Sequence, residues 1–149
     1  MRVPVVAVAT VVAACGSHRH EPAAHPDDIS RLYVEISTDR SHRRSLQGGA
    51  AAGLGKIPFV VEVPASRGGD AELQIHVSRL DVVGSETVCS IKILVLRLPQ
   101  HDLFGMAEGT ARAGGTHGQA ADDCIARLGE SLIGGKVRTL LHKRLDEKR

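Results

Sequence analysis

The chain has 149 residues, 42% of them hydrophobic and 24% charged, which suits one small domain with its own core. Nineteen Lys and Arg against 17 Asp and Glu leave a net charge of +2, too weak a field to recruit a strongly acidic partner. Tyr33, Phe59 and Phe104 are its only aromatic residues, so it lacks the rings on which single-stranded nucleic acid stacks, and no nucleic-acid partner is expected.

Met1-Arg2 gives a positive start to an uncharged run from Val3 to Ala14. As a helix this run would span about 18 Å against a hydrocarbon core of about 30 Å, so it has signal-peptide anatomy and is too short to cross a membrane. Small residues then lead directly into a thiol: Val12-Ala13-Ala14-Cys15-Gly16-Ser17. This segment resembles a bacterial lipobox. The resemblance covers the first 17 residues and implies removal of residues 1–14, a diacylglycerol on the Cys15 sulfur, acylation of the new amino terminus, and a membrane as partner through that lipid. Gly16 in place of Asp resembles the members sorted to the outer membrane, which implies a protein facing the periplasm. Ordinary signal cleavage before Cys15, giving a soluble secreted protein, and an unprocessed buried segment stay open as readings of the same residues.

Residues 15–30 read as the lipidated Cys and a tether: Gly16 to Ser30 carries two prolines and mixed charge without apolar periodicity. Its fifteen residues reach at most about 45 Å. His18, His20 and His25 lie in it, and a segment without fixed geometry does not make a structural metal site from them.

Residues 31–149 read as a single domain. Leu32, Val34 and Ile36 alternate with Arg31, Tyr33 and Glu35, the pattern of a half-buried strand. In Asp39 to Lys56, Ser41, Leu46, Ala50, Ala51 and Leu54 would suit a short helix, but Gly48, Gly49, Gly53 and Gly55 weaken it, so the expectation is a flexible or partly helical surface connection. Gly55-Lys56 lacks the rest of a P-loop. Ile57, Phe59, Val61 and Val63 predict a second strand. Ala71, Leu73, Ile75 and Val77 predict a third, and the phase slip near Arg79 that lets Leu80 and Val82 continue it predicts a bulge.

A turn at Val83-Gly84-Ser85 and the β-branched run from Glu86 to Leu98 complete a hairpin. From Leu103 to Ala113, Gly105, Ala107, Gly109 and Ala111 alternate with larger residues, giving a fifth strand with a shaved face that a helix can approach. Thr116-His117-Gly118-Gln119 has the form of a capping box and predicts the start of a long helix with a stripe through Ala121, Ile125, Leu128, Leu132, Val137, Leu140, Leu141 and Leu145. Gly134-Gly135 interrupts that stripe, marking either an exposed kink or a close contact, and the expectation is a contact against Gly109 and Ala111. The expected fold is α+β, a mainly antiparallel sheet of four to five strands with a long C-terminal helix on one face.

Cys89 shares a strand face with Ile91 and Ile93, and Cys124 lies beside the helix stripe, so both point inward. In an oxidising compartment two remaining thiols make a Cys89–Cys124 disulfide the expectation, with two reduced buried cysteines as the alternative. No C-x-x-C, H-E-x-x-H or G-x-S-x-G occurs, so no metal, cofactor or catalytic residue is assigned. His76, His101-Asp102, His117 and Glu108 are the residues a hydrolase would have to use.

From Gly69-Asp70-Ala71 through the two long strands, the Gly-Thr-Ala-Arg strand and the closing helix, the pattern resembles small envelope lipoproteins shaped like the N-terminal domain of TolB and the penicillin-binding-protein activators. The resemblance implies a membrane-anchored periplasmic lipoprotein that works as a non-enzymatic adaptor or assembly factor on another envelope protein. The alternative is a lipid-anchored periplasmic hydrolase.

Overall fold

A computed structural model describes residues 29–146. Cys15, the apolar run before it, and His18, His20 and His25 lie outside the described residues. The elements are β1 (Arg31–Ser37), α1 (Arg40–Leu54), β2 (Val61–Val63), a 3-10 turn (Ser66–Gly68), β3 (Ala71–Val83), β4 (Glu86–Arg97), β5 (Asp102–Gly114), α2 (Gly118–Ser131), a π-helical turn (Leu132–Val137) and α3 (Arg138–Asp146). The strands form one sheet in the order β2-β1-β3-β4-β5.

The class is α+β and the sheet mostly antiparallel, with β3–β4 and β4–β5 as its long ladders. β1 runs parallel to β2 and to β3, since a helix separates them in sequence and a crossover of that length returns the chain in the same direction. The β3–β4 register slips between Val77 and Arg79, where the apolar phase shifts, and Gly84, at φ 64°, makes the tight turn. A second slip, between Val95 and Leu96, falls opposite Phe104 and has no counterpart in the sequence pattern.

The segment from Asp39 to Lys56 is a regular helix from Arg40 onward, which corrects the expected surface connection. Asp39 is its N-cap and accepts a hydrogen bond from the His42 N–H at 3.2 Å. Its buried face is Leu46, Gly49, Ala50, Gly53 and Leu54, the spacing of one helix stripe. The glycines are where α2 comes closest. A Cβ on Gly49 would fall on the Ala126 carbonyl oxygen and 2.9 Å from its Cα, and one on Gly53 would lie 2.7 Å from the Ile133 Cβ.

Three further expectations are corrected. The strand expected from Ile57 is ordered as strand only from Val61 to Val63. Ile57 instead plugs the end of α1, buried to 1% exposure, with its N–H donating to the Leu54 carbonyl. The capping box does not form. α2 starts after His117, whose carbonyl accepts from the Ala120 N–H at 2.9 Å, while Gln119 donates to Asp123. Gly134 and Gly135 do not meet β5: Gly134 faces the Lys56 side chain and Gly135 faces open space. Leucines fill the shaved face of β5 instead, Leu140 over Gly105 and Leu128 with Leu132 over Gly109.

The core lies between the sheet and the helices, with Leu32, Leu73, Ile75, Ile91, Ile93 and Val95 facing Leu46, Ile125, Ile133 and Val137. Ile29, at 9% exposure, joins it, and the Ser30 carbonyl accepts from the Val61 N–H. The core therefore takes in Ile29, two residues before the expected domain start at Arg31.

Candidate functional site

Because the described helices share one face of the sheet, the opposite face is open, and its composition follows from the register. Tyr33, Glu72, Leu96 and Leu103 form one row across β1, β3, β4 and β5. Glu35, Gln74, Leu94 and Met106 form the next, and Ser37, His76, Lys92 and Glu108 the third. In the first two rows carboxylates thus lie toward β1 and apolar side chains toward β5. Farther along, Arg79 pairs with Asp81 at 2.5 Å and Arg112 with Glu86 at 3.3 Å, while Ser90 and Thr110 share a hydrogen bond at 2.8 Å.

The acidic side is organised around Glu72, a carboxylate buried to 7% side-chain exposure. Gln74 donates to its Oε1 at 2.9 Å and His101 Nε2 lies 3.2 Å from its Oε2. Tyr33 donates to Glu35 at 2.8 Å, and that carboxylate, with burial and the charge of Glu72 behind it, holds the phenol above its ordinary range. His101, at φ 62°, brings the β4–β5 loop onto Glu72.

The sequence pattern puts His101 in a turn and Glu72 on a polar strand face without joining them; no local spacing relates two residues brought together by the β3–β4 ladder and the loop after it. His76 Nδ1 lies 3.2 Å from the Ser37 carbonyl oxygen and is exposed, and His117 caps the start of α2 by its backbone. Glu108 is exposed, and its backbone carbonyl accepts from Lys136 Nζ at 2.5 Å. Among the described residues no three His, Cys, Asp or Glu gather as metal ligands, and His101 has no hydroxyl or thiol partner.

Cys89 of β4 and Cys124 of α2 form a disulfide with a Cα separation of 6.2 Å, within the range such a bridge tolerates. The bridge ties the helical layer to a central strand from inside the core. At the end of the sheet where the chain enters, Asp70 accepts from the Ser30 and Arg31 N–H groups, at 3.1 and 2.9 Å, and pairs with the Arg31 guanidinium at 2.9 Å. Partial burial opposes the Asp70 charge, but these hydrogen bonds outweigh it and hold the carboxyl below its ordinary range.

Two strand edges are free among the described residues. β5 has no neighbour on its outer side along Asp102–Gly114. β2 is the other edge strand and ends opposite Tyr33, which leaves Val34 to Ser37 paired only with β3, and a groove of about 470 Å³ lies there, lined by Tyr33, Glu35, Arg43, Gln47 and Glu62.

No family model and no curated protein matches the sequence. Among solved structures the chain is similar to protein XCC0632 of Xanthomonas campestris, described under family-model DUF330, with a TM-score of 0.55 at 14% identity over 86% of this chain and 93% of that one. It is similar to PelC of Paraburkholderia phytofirmans, solved as a dodecamer, with a TM-score of 0.51 at 16% identity over 76% of this chain and 90% of that one. Lipoprotein GNA1162 of Neisseria meningitidis overlaps more loosely, with a TM-score of 0.44 at 14% identity over 78% of this chain and 99% of that one. At these identities the first two show a shared fold.

Proposed function

We propose that this chain is a small envelope lipoprotein, held by acyl chains on Cys15 to the periplasmic face of the bacterial outer membrane, and that it works there as a non-enzymatic adaptor. The observation that carries the adaptor reading is the one-sided architecture: the described helices pack on one face, and the other face stays open beside a free edge strand. An open face beside a free edge can take a partner by side-chain contact and by strand addition together. The anchor rests on the residues before the domain, an apolar run too short to span and small residues leading into Cys15. The TolB-like shape belongs to the same reading.

PelC forms a dodecamer, and the adaptor proposed here would likewise act through protein contacts. The test is a photo-activated crosslinker placed in cells at Lys92 on the open face and at Arg127 on the helical side. One defined envelope protein joined at Lys92 and absent at Arg127 is the expected result. No position-dependent adduct would overturn the adaptor reading.

The observation that favours the second reading, a lipid-anchored hydrolase, is the His101–Glu72 pair, with His101 as the base. Activity lost in His101→Ala at unchanged stability would decide for it.

A further inference from the structure

The chain enters the domain at the end of the sheet where Ser30 meets Asp70, and the same end carries an apolar rim. Two of the most exposed large apolar side chains lie there: Val61, 66% exposed and in register with Arg31, and Leu103, 65% exposed and in register with Leu96. Between them Leu98 continues β4, its N–H donating to the Asp70 carbonyl and its side chain against Gly69. The half-buried rings gather here too. Phe104 lies under the Arg97 guanidinium at 5.4 Å, Phe59 sits edge-on to His142, and Tyr33 shares a row with Leu103.

The other end of the sheet is about 40 Å away, the length of β3, and carries Val82 and Val83 on the hairpin. An anchor on the entry side keeps that end nearer the bilayer on average than the opposite end, and exposed aliphatic side chains backed by aromatic rings and an arginine suit the headgroup boundary.

We propose that this rim, Val61, Leu98 and Leu103 with Phe104 behind them, is a second membrane contact that seats the entry end of the domain on the lipid surface. The inference rests on the reading that Cys15 carries the anchor. Leu103 and Val61 enter the headgroup region, the sheet stands off the bilayer, and Val82 and Val83 point away from it. Exposed Asp102 beside Leu103, and Arg31 and Arg67 at the same end, give the rim both signs of charge, so a zwitterionic surface fits it.

The chain has no tryptophan, so a single introduced one reports without background. The chain beginning at Cys15 is coupled through that thiol to a maleimide lipid in phosphatidylcholine vesicles, with Cys89 and Cys124 bridged and unreactive. Leu103→Trp and Val61→Trp should shift their emission to the blue and lose it when the acyl chains carry bromine; Val82→Trp should do neither. Leu103 and Val61 are exposed, so both variants should fold, and circular dichroism checks this. Spectra of Leu103→Trp and Val61→Trp that stay as in solution, or match Val82→Trp, would overturn the lipid contact and leave the rim to a protein partner. Because the coupling imposes the anchor, that result leaves lipidation in cells standing. An unacylated Cys15 found in cells would overturn the proposal at its premise.

Discussion

Gly48 and Gly49 are neighbours in α1, and the structure gives alanine opposite effects at the two positions. A Cβ on Gly48 meets nothing within 4 Å, so Gly48→Ala gains only the helix preference of Ala over Gly, about 0.8 to 1.0 kcal/mol. For a domain of this size that raises Tm by about 3 to 6 °C. Gly49→Ala gains the same preference, but its Cβ would fall on the Ala126 carbonyl oxygen, 2.9 Å from the Ala126 Cα and 3.0 Å from its carbonyl carbon. All three are backbone atoms, so no side chain can rotate away and α1 must move off α2. Such overpacking costs about 1 to 3 kcal/mol, and moving α1 also loosens Gly53 from Ile133, so the net change is a loss of up to about 2 kcal/mol. Thermal and urea unfolding followed by far-UV circular dichroism, with the disulfide intact, reads both variants. A Tm for Gly49→Ala raised as far as that of Gly48→Ala would show that the helices are not in backbone contact.

The Cys89–Cys124 bridge spans a sequence separation of 35, for which loop-closure entropy gives about 3.8 kcal/mol of stabilisation. Thiol labelling of the unfolded, unreduced protein should find neither residue, whereas stoichiometric labelling of both would contradict the bridge. A Cβ on Gly135 meets nothing within 4 Å, so Gly135→Ala should be neutral or stabilising by up to about 1 kcal/mol; a lowered unfolding midpoint would mean that the π-helical turn needs glycine there. The depressed pKa of Asp70 adds stability that is present above the ordinary carboxylate range and lost as pH falls through its folded value. Asp70→Asn should therefore be less stable than the parent at neutral pH, with the gap closing in acid, and a gap that is constant with pH would count against the charge.

The strands were legible because Leu32, Val34 and Ile36, or Leu73 and Ile75, alternate with polar residues wherever one sheet face is buried and the other open. That alternation also marked the bulge near Arg79. α1 was hidden for a physical reason. Its contact face is Gly49, Ala50 and Gly53; the two glycines lower helix preference but let two helices touch, so they signal a break locally and a contact globally. Their spacing with Leu46 and Leu54 was the usable sign. The second glycine pair misled in the opposite sense: Gly134 and Gly135 sit on a π-helical turn facing Lys56 and open space. At the open face, alternation put Glu72 and His76 on the polar side but could not join Glu72 to His101, which depends on the β3–β4 ladder and the loop after it.

Under the proposed anchoring, Cys15 is the first residue of the mature protein and holds it to a membrane. Two or three acyl chains, at about 0.8 kcal/mol per buried CH₂, anchor a domain stably, where one would bind only marginally. The direct measurement is mass spectrometry of the N-terminal peptide from the membrane fraction. The expected peptide begins at Cys15 and carries the acyl mass, and both the mass and membrane retention should be lost in Cys15→Ser while the fold persists. A peptide that retains Met1, or one that begins at Cys15 without added acyl mass, would contradict it.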